Sequence, residues 1–331
     1  MKRVIVTGGN GFIGKHLVKK LLSSKLHSVA IIAKTPNNNL NYFEDIKLPN
    51  DLPLTFHTVD IRDRKAIPDI FREERADTCI HLAAKTSVAD SIKNPDETMD
   101  INVNGTLNVL EACYNSHVSN FIFTSSAAVY GKVSELPIAE YHTLRPLSPY
   151  GKSKMLAEQH IFSYNKSKKI QNAILLRIFN VYGTGQANET DVITRFISRL
   201  SKGLPPVIYG AGKHTRDFIS VDDVVDGILL SITLMEELEN NIDNDLSSPL
   251  VFNMGTGRPT STNELAQKMI QIFGLDLQPI YEEGRDDKRV ILHSYADMTK
   301  SKEILHFVAK KRIEIGLREI IEPLLMKKMN P

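Results

Sequence analysis

Thr7-Gly8-Gly9-Asn10-Gly11-Phe12-Ile13-Gly14 follows the β-branched run Val4-Ile5-Val6 and opens onto Ile13–Leu22, whose apolar residues recur at helical spacing. The order strand, glycine turn, helix decides the fold. Glycines here permit a tight turn, let backbone N–H groups approach a pyrophosphate, and let the helix pack closely on the sheet. The helix N-terminus then stabilises the phosphate charge. This stretch therefore reads as a dinucleotide-binding turn that opens an α/β domain.

Outward from it, short β-branched runs alternate with amphipathic ones. Strands are predicted over Arg3–Thr7, Val29–Ile32, Leu54–Val59, Thr78–Leu82, Phe121–Thr124 and Ala173–Ile178, and helices over Ile13–Leu22, Lys65–Arg72, Val103–Tyr114 and Pro149–Tyr164. That rhythm implies right-handed crossovers and a parallel sheet covered on both faces. After Asn180 the pattern loosens to helices over Val192–Leu200, Asp222–Met235, Thr262–Phe273 and Ile313–Leu325 and one strand, Leu250–Asn253. Ser261-Thr262-Asn263-Glu264 is a capping box. Pro36–Asn41 and Glu236–Ser248 read as surface loops. The expected fold is α/β: a Rossmann-type doubly wound parallel sheet with a smaller, discontinuous C-terminal substrate domain. The dinucleotide-binding domain is expected over 1–180, with 217–253 returning to it, and the substrate-binding domain mainly over 181–216 and 254–331.

Composition narrows the function. The chain has 331 residues, 41 Lys plus Arg against 39 Asp plus Glu, and a formal charge of +2, with no basic stripe. This argues against nucleic-acid binding. With 42 % hydrophobic and 24 % charged residues, disorder and collagen-like architectures are excluded. The start Met1-Lys2-Arg3 leads into a strand rather than a secretory leader. The apolar stretch Val224 to Met235 is interrupted by Asp226, Gly227 and Ser231, so no bilayer span is expected. Cys79 and Cys113 read as buried thiols in a reducing, cytoplasmic setting. The ten histidines show no metal-ligand spacing.

An acid that reads the ribose hydroxyls is expected about 20 residues beyond the glycines. The chain carries Ala33-Lys34-Thr35 there, so Lys34 either pairs with the 2′-phosphate of NADP or is solvated. The chemistry-bearing stretch is Tyr150-Gly151-Lys152-Ser153-Lys154. Ser148 suits an N-cap and Pro149 the first helical position, which puts Tyr150 in the first turn and Lys154 one turn along the same face. A phenol titrates near pH 10, and acting as a base near pH 7 needs roughly 4 kcal/mol of preferential phenolate stabilisation. The helix N-terminus supplies about 0.3–1 kcal/mol; a nearby ammonium must supply most of the rest. Phe123-Thr124-Ser125-Ser126-Ala127-Ala128 follows the fifth strand and sets a hydroxyl at the sheet edge where ligands bind.

Glycine turn, strand-end serines and Tyr-x-x-x-Lys in this order resemble the extended short-chain dehydrogenase/reductase family. Within it the chain is most similar to NAD-dependent sugar-nucleotide epimerases, the UDP-glucose 4-epimerases above all. The resemblance runs on through Val59-Asp60-Ile61, His81-Leu82-Ala83-Ala84-Lys85, Asn102-Val103-Asn104-Gly105-Thr106, Arg177-Ile178-Phe179-Asn180, Arg216-Asp217-Phe218-Ile219, Phe252-Asn253-Met254-Gly255 and His293-Ser294-Tyr295-Ala296-Asp297. It implies NAD as cofactor, the Ala33-Lys34 departure leaving NADP open, and a UDP-sugar as substrate. Gly8, Gly11, Phe12, Ile13 and Gly14 would hold the pyrophosphate, and Asp60 and Ile61 would flank the adenine. Leu82, Ala83, Ala84 and Asn102 would line the cofactor, Lys85 and Lys154 would reach the nicotinamide side, and Phe179 would cover the carboxamide. Ser126 and Tyr150 would meet the sugar 4-hydroxyl, with Lys85 nearby. Asn180, Arg216 and Arg285 (or Arg289, since the spacing in Arg285-Asp286-Asp287-Lys288-Arg289 is irregular) would hold the diphosphate. Ser294 would lie over the sugar's C2 substituent, or else on a surface loop. A homodimer through the helices holding Val103–Tyr114 and Pro149–Tyr164 is also implied.

The resemblance also discriminates: sugar-nucleotide 4,6-dehydratases of this fold carry an acid two or so positions beyond the serine, to protonate the leaving C6 hydroxyl, and UDP-glucuronate decarboxylases resemble that acidic pattern, whereas Ala127-Ala128 offers no carboxylate for such a proton transfer. Epimerisation at C4 needs only a base, a hydride acceptor and room for the sugar to turn. A 4-epimerase is therefore the expected function. Two other readings stand beside it: an NADP-dependent keto-sugar reductase, supported by Lys34, and a non-catalytic dinucleotide-binding sensor, which would need none of Ser126, Tyr150 and Lys154.

Overall fold

Val4, Ile5 and Val6 have no exposed surface, as a strand covered on both faces requires. The computed structural model describes residues 2–25, 27–36, 54–186, 191–240, 248–283 and 291–329. The strands β1 (Lys2–Thr7), β2 (His27–Ala33), β3 (Leu54–Thr58), β4 (Thr78–His81), β5 (Asn120–Ser126) and β6 (Asn172–Ile178) join Leu250–Met254 in a seven-stranded sheet. Its order is Leu250–Met254, β6, β5, β4, β1, β2, β3. The pairs β1–β2, β2–β3, β1–β4 and β4–β5 are parallel. The chain thus winds outward from β1 to β3, then crosses back to β4. This reversal opens the crevice beyond the C-terminal strand ends in which doubly wound folds bind ligands. The predicted doubly wound sheet is the one observed.

The connecting helices are α1 (Phe12–Ser24), α2 (Ala66–Glu74), α3 (Val88–Lys93), α4 (Pro95–Met99), α5 (Gly105–Asn115) and α6 (Pro149–Lys166). Between α4 and α5, Asp100–Asn104 forms a π-helical turn, where an unbroken α-helix was expected from Val103. Ile5, Ile32, Phe71, Val109, Phe121, Phe123 and Leu175 share one core cluster. Burying such a side chain contributes about 1.5–3 kcal/mol. Cys79 and Cys113 lie in this core as free, buried thiols, as expected.

The chain divides into two compact units: Met1–Tyr130 with Leu144–Arg177 and Val225–Phe252, and Gly131–Thr143 with Ile178–Val224 and Asn253–Pro331. The second holds several short strands that sequence periodicity did not reveal. These are β7 (Asn180–Tyr182), β8 (Val207–Tyr209), β9 (Thr215–Ser220) and, counting Leu250–Met254 as β10, β11 (Pro259–Ser261), β12 (Ile280–Glu282) and β13 (His293–Ser294). Strand β9 organises it, pairing antiparallel with β11 and parallel with β13 and β7. The helices Val192–Leu200, Thr262–Phe273 and Ile313–Met329 contribute Ile193, Phe196, Leu265, Met269, Leu317 and Ile321 to a second core. The predicted capping box is formed, with Ser261 and Glu264 satisfying each other's backbone. Among the described residues no helix is long and apolar enough to cross a membrane.

Asp217 on β9 fastens this unit. Its buried carboxylate accepts hydrogen bonds from Thr256 N (2.8 Å), Thr256 Oγ1 (2.6 Å), Gly257 N (2.9 Å) and Ala296 N (3.1 Å). Asp217→Asn turns an amide group toward these donors and leaves at least one unsatisfied, at about 1–3 kcal/mol. Amide hydrogen exchange at Thr256, Gly257 and Ala296 should accelerate together; unaltered protection would show that the carboxylate does not hold these loops.

Candidate active site

The glycine turn has the shape that an anion needs. Gly8 adopts φ +71°, and a Cβ there would stand 2.8 Å from Ala83 N and 2.9 Å from Ala83 Cα. At Gly14 a Cβ would collide with the Gly8 carbonyl. Helix α1 starts at Phe12 with no side-chain cap and no acid in its first turn. Its leading N–H groups are therefore left for an external acceptor, and no carboxylate repels one. This geometry fits a dinucleotide pyrophosphate.

Strand β2 ends at buried Ala33. The Lys34 side chain is largely exposed, with its Nζ 3.4 Å from Asp60 Oδ2 on the turn after β3. Arg62 grips the same carboxylate through Nε (3.0 Å) and Nη2 (2.8 Å) and reaches Asp100 through Nη1 (2.8 Å). The Arg62 guanidinium holds Asp60 well below the usual carboxylate range. A carboxylate thus does stand beside the end of β2, supplied by the next strand. Ile61, buried, packs on Gly105, where a Cβ would come within 2.5 Å of Ile61 Cδ1.

Asn102, in the π-helical turn, ties the segment after β4 to α6. Its Oδ1 accepts from Lys85 N (2.8 Å), while Nδ2 donates to Lys85 O (3.0 Å) and Ser153 Oγ (2.9 Å). Leu82, Ala83, Ala84 and Lys85 are placed by this staple. Thr106 Oγ1 donates to Asn102 O (2.6 Å), so it accepts from His81 Nε2 (2.9 Å), and His81 Nδ1 accepts from Thr7 Oγ1 (2.7 Å). His81 is accordingly neutral with its proton on Nε2. Burial, assisted by the charge of Lys154, pushes it down to about 3. Lys85 pairs with Glu97.

Helix α6 begins as predicted. Ser148 Oγ accepts from Gly151 N (3.1 Å) and Pro149 takes the first position. Gly151 lets the helix approach the 3-10 turn Ala127–Val129, since a Cβ would stand 2.5 Å from Ala128 O. The approach sets Tyr150 beside Ser126, which opposes the effect of burial on the phenol. Lys154, 3 % exposed, donates from Nζ to Thr124 O (2.9 Å) and lies 4.6 Å above the Phe123 ring. Burial lowers its pKa to about 7, with Glu158 opposing. A nearby ammonium was expected to draw the phenol down; here burial holds the Tyr150 pKa above its ordinary value, with Ser126 opposing.

Sequence reasoning did not single out Glu158 and Arg177. Arg177 Nε and Nη2 donate to Glu158 Oε1 (3.0 Å) and Oε2 (2.7 Å), Ser125 donates to the same carboxylate, and Arg177 Nη1 donates to Tyr130 Oη (3.1 Å). The signal was available: Tyr150, Lys154 and Glu158 recur every four residues, an acid on the inward face of a helix.

In the second unit, Phe179 is buried and its N–H donates to Met254 O (2.9 Å), while Asn180 Nδ2 donates to Asp217 O (3.1 Å). Arg216 Nη1 donates to Thr215 O (2.9 Å), and no carboxylate pairs with Arg216 among the described residues. Burial lowers its pKa. Such a guanidinium is ready for an anion. Ser294 lies in strand β13, 8 % exposed and in register with Arg216, rather than on a surface loop. Arg285 and Arg289 lie outside the described residues.

Residues 4–254 match the NAD dependent epimerase/dehydratase family. The chain is 35 % identical to a putative UDP-glucose 4-epimerase of Methanocaldococcus jannaschii, over 96 % of this chain and 97 % of that one. Among solved structures it is similar to Thermotoga maritima UDP-glucose 4-epimerase with UDP-glucose (TM-score 0.84, 31 % identity, covering 99 % of this chain and 100 % of that one). It is also similar to UDP-N-acetylglucosamine 4-epimerase from Methanobrevibacter ruminantium, in complex with UDP-N-acetylmuramic acid (TM-score 0.84, 30 % identity, covering 98 % and 99 %).

Gly8→Ala tests the turn. The left-handed backbone and the contact with Ala83 both disfavour a methyl group, and NAD affinity should fall at least about tenfold, roughly 1.4 kcal/mol, by calorimetry. Undiminished affinity would remove the turn from the pyrophosphate site.

Proposed function

The chain belongs to the NAD-dependent epimerase/dehydratase family, and on that footing we propose that it inverts C4 of a UDP-hexose, interconverting UDP-glucose and UDP-galactose through a 4-keto sugar. The observation that carries this reading is Tyr150 seated beside Ser126 where α6 closes on Ala128, with buried Lys154 one turn along, and Ala127-Ala128 where the sugar-nucleotide dehydratases that the chain otherwise resembles carry an acid.

Bound NAD supplies a hydride acceptor, then the donor that returns the hydride, and a cationic ring. Tyr150 Oη takes the proton of the 4-hydroxyl, and Ser126 Oγ hydrogen-bonds the same sugar oxygen and keeps it against the phenol. Lys154 stabilises the phenolate from within a buried site where charge interactions are strong. In the second unit, Arg216 and Asn180 would hold the diphosphate, and the sugar turns about its link to that group before C4 is reduced from its other face. Tyr150 then returns the proton, so no net redox change accumulates. The match to an NAD dependent family weighs against an NADP-dependent keto-sugar reductase. The homodimer expected through α5 and α6 belongs to the same reading.

Purified protein should release NAD on denaturation and interconvert UDP-glucose and UDP-galactose without net change in nicotinamide absorbance. Tyr150→Phe should retain NAD yet lose turnover by a factor on the order of 10²–10⁴. Stoichiometric oxidation of added NADPH by a keto-sugar, or turnover of the variant within a few-fold of the parent, would overturn the reading.

Ser294 bears on substrate breadth. A small side chain in register with Arg216 leaves room for an acetamido group at C2. Ser294→Tyr should therefore depress turnover of UDP-N-acetylglucosamine roughly 5- to 150-fold, the effect of overpacking a formed site, while sparing UDP-glucose. Equal losses for both sugars, or none, would exclude Ser294 from substrate contact.

A further inference from the structure

Tyr150 is the second residue of α6, where a helix leaves its backbone N–H groups without partners of their own. Pro149 before it has no N–H to satisfy, and the Ser148 hydroxyl is taken by the next amide, that of Gly151. The Tyr150 amide, in a residue 9 % exposed, is met instead from outside the helix. It donates to Ser91 Oγ (3.2 Å) in α3, and Ser91 gives its own proton to Val88 O (2.7 Å). The Tyr150 carbonyl is held as well: Ser153 Oγ donates to it (2.7 Å) and accepts from Asn102 Nδ2 (2.9 Å). Ser91 and Ser153 have no exposed surface, so water does not compete for these bonds.

We propose that Ser91 is a positioning residue for the reaction: its hydroxyl pins the main chain of Tyr150 and so fixes where the phenol stands beside Ser126. The inference rests on the reading of Tyr150 as the base. The two serines differ in what they can hold. Ser153 belongs to α6 and moves with Tyr150, so it restrains the tyrosine only through Asn102. Ser91 belongs to a separate helix, and the Tyr150 amide has no other acceptor among the described residues. Without that oxygen the buried amide must turn toward another acceptor. A small rotation of the first turn of α6 then swings the phenol hydroxyl, at the far end of the side chain, through a much larger arc than the backbone. A base works only within hydrogen-bond reach of the proton it takes, and a misplacement of about 1 Å costs on the order of 10²-fold. The glycine turn and Arg216 stand on other elements and are left where they are.

In the NAD-loaded enzyme, Ser91→Ala should therefore lower kcat for UDP-glucose by about 10- to 100-fold. KM and the calorimetric affinity for NAD should stay within about twofold of the parent, the pattern of an interaction that serves the chemical step alone. Should Ser91→Ala fail to fold, Ser91→Cys, nearly isosteric and a weaker acceptor, should show the same loss in smaller measure. A double-mutant cycle with Tyr150→Phe separates positioning from general loosening. Once the phenol hydroxyl is gone, removing Ser91 should cost less than about twofold further in kcat, whereas a loosened site multiplies the two single losses. A second readout needs no sugar: hydrogen exchange at the Tyr150 amide should accelerate at least about tenfold in Ser91→Ala while the interior of α6 keeps its protection. A kcat within about twofold of the parent, or single losses that multiply, would overturn the proposal. Accelerated exchange in a protein whose parent turns over no UDP-sugar would sink the epimerase reading alone. Turnover by the parent with unmoved exchange would sink only the role of Ser91.

Discussion

A carboxylate and a guanidinium with 1 % and 4 % of their surfaces exposed, Glu158 and Arg177, meet face to face between α6 and β6. Leaving either one alone in the interior would cost about 3–5 kcal/mol, so the two elements are held in one mutual register. Ser125 and Tyr130 extend the clamp to the end of β5 and the turn after it. Once α6 is fixed in rotation, the residues four and eight positions before Glu158 have no freedom to face elsewhere. Lys154 is driven onto the Thr124 carbonyl and Tyr150 onto Ser126.

Missing side chains make that register reachable. Gly151 brings the first turn of α6 against Ala128, Gly105 seats α5 on Ile61, and Gly8 and Gly14 bring α1 down on the glycine turn. At Gly8, Gly14 and Gly151, where the neighbour is backbone, a single methyl group would force the helix and turn apart. The seating of Tyr150 beside Ser126 depends on that approach. Close packing and reactivity are therefore one constraint here. The π-helical turn at Asp100–Asn104 serves the same end, because it carries Asn102, which holds both Lys85 and Ser153.

The second unit solves a different problem. Its strands are two to six residues long, and at β9 the Asp217 carboxylate gathers three backbone amides and a hydroxyl from the two loops that lead to and from its neighbours. With β9 fixed, its neighbour Arg216 stands in register with Ser294, and Asn180 is tied to the Asp217 carbonyl. Three residues far apart in sequence become neighbours through one buried acid.

Much of this was legible in the sequence, wherever the information is local. Strand–turn–helix order, the N-cap at Ser148, the capping box at Ser261 and the four-residue spacing of Tyr150 and Lys154 depend only on chain stereochemistry, which neighbouring residues set for themselves. The short strands β7–β9 and β11–β13 were not legible, because two to six residues carry no periodicity and pair only when distant segments arrive. Nor was the protonation of the site. The sequence places Lys154 beside Tyr150 but not the Thr124 carbonyl that captures its ammonium, and it places an acid at 158 but not the arginine that neutralises it. Whether a charge is hydrated, paired or stripped of water depends on every group within several ångströms, and only the folded chain decides which groups those are.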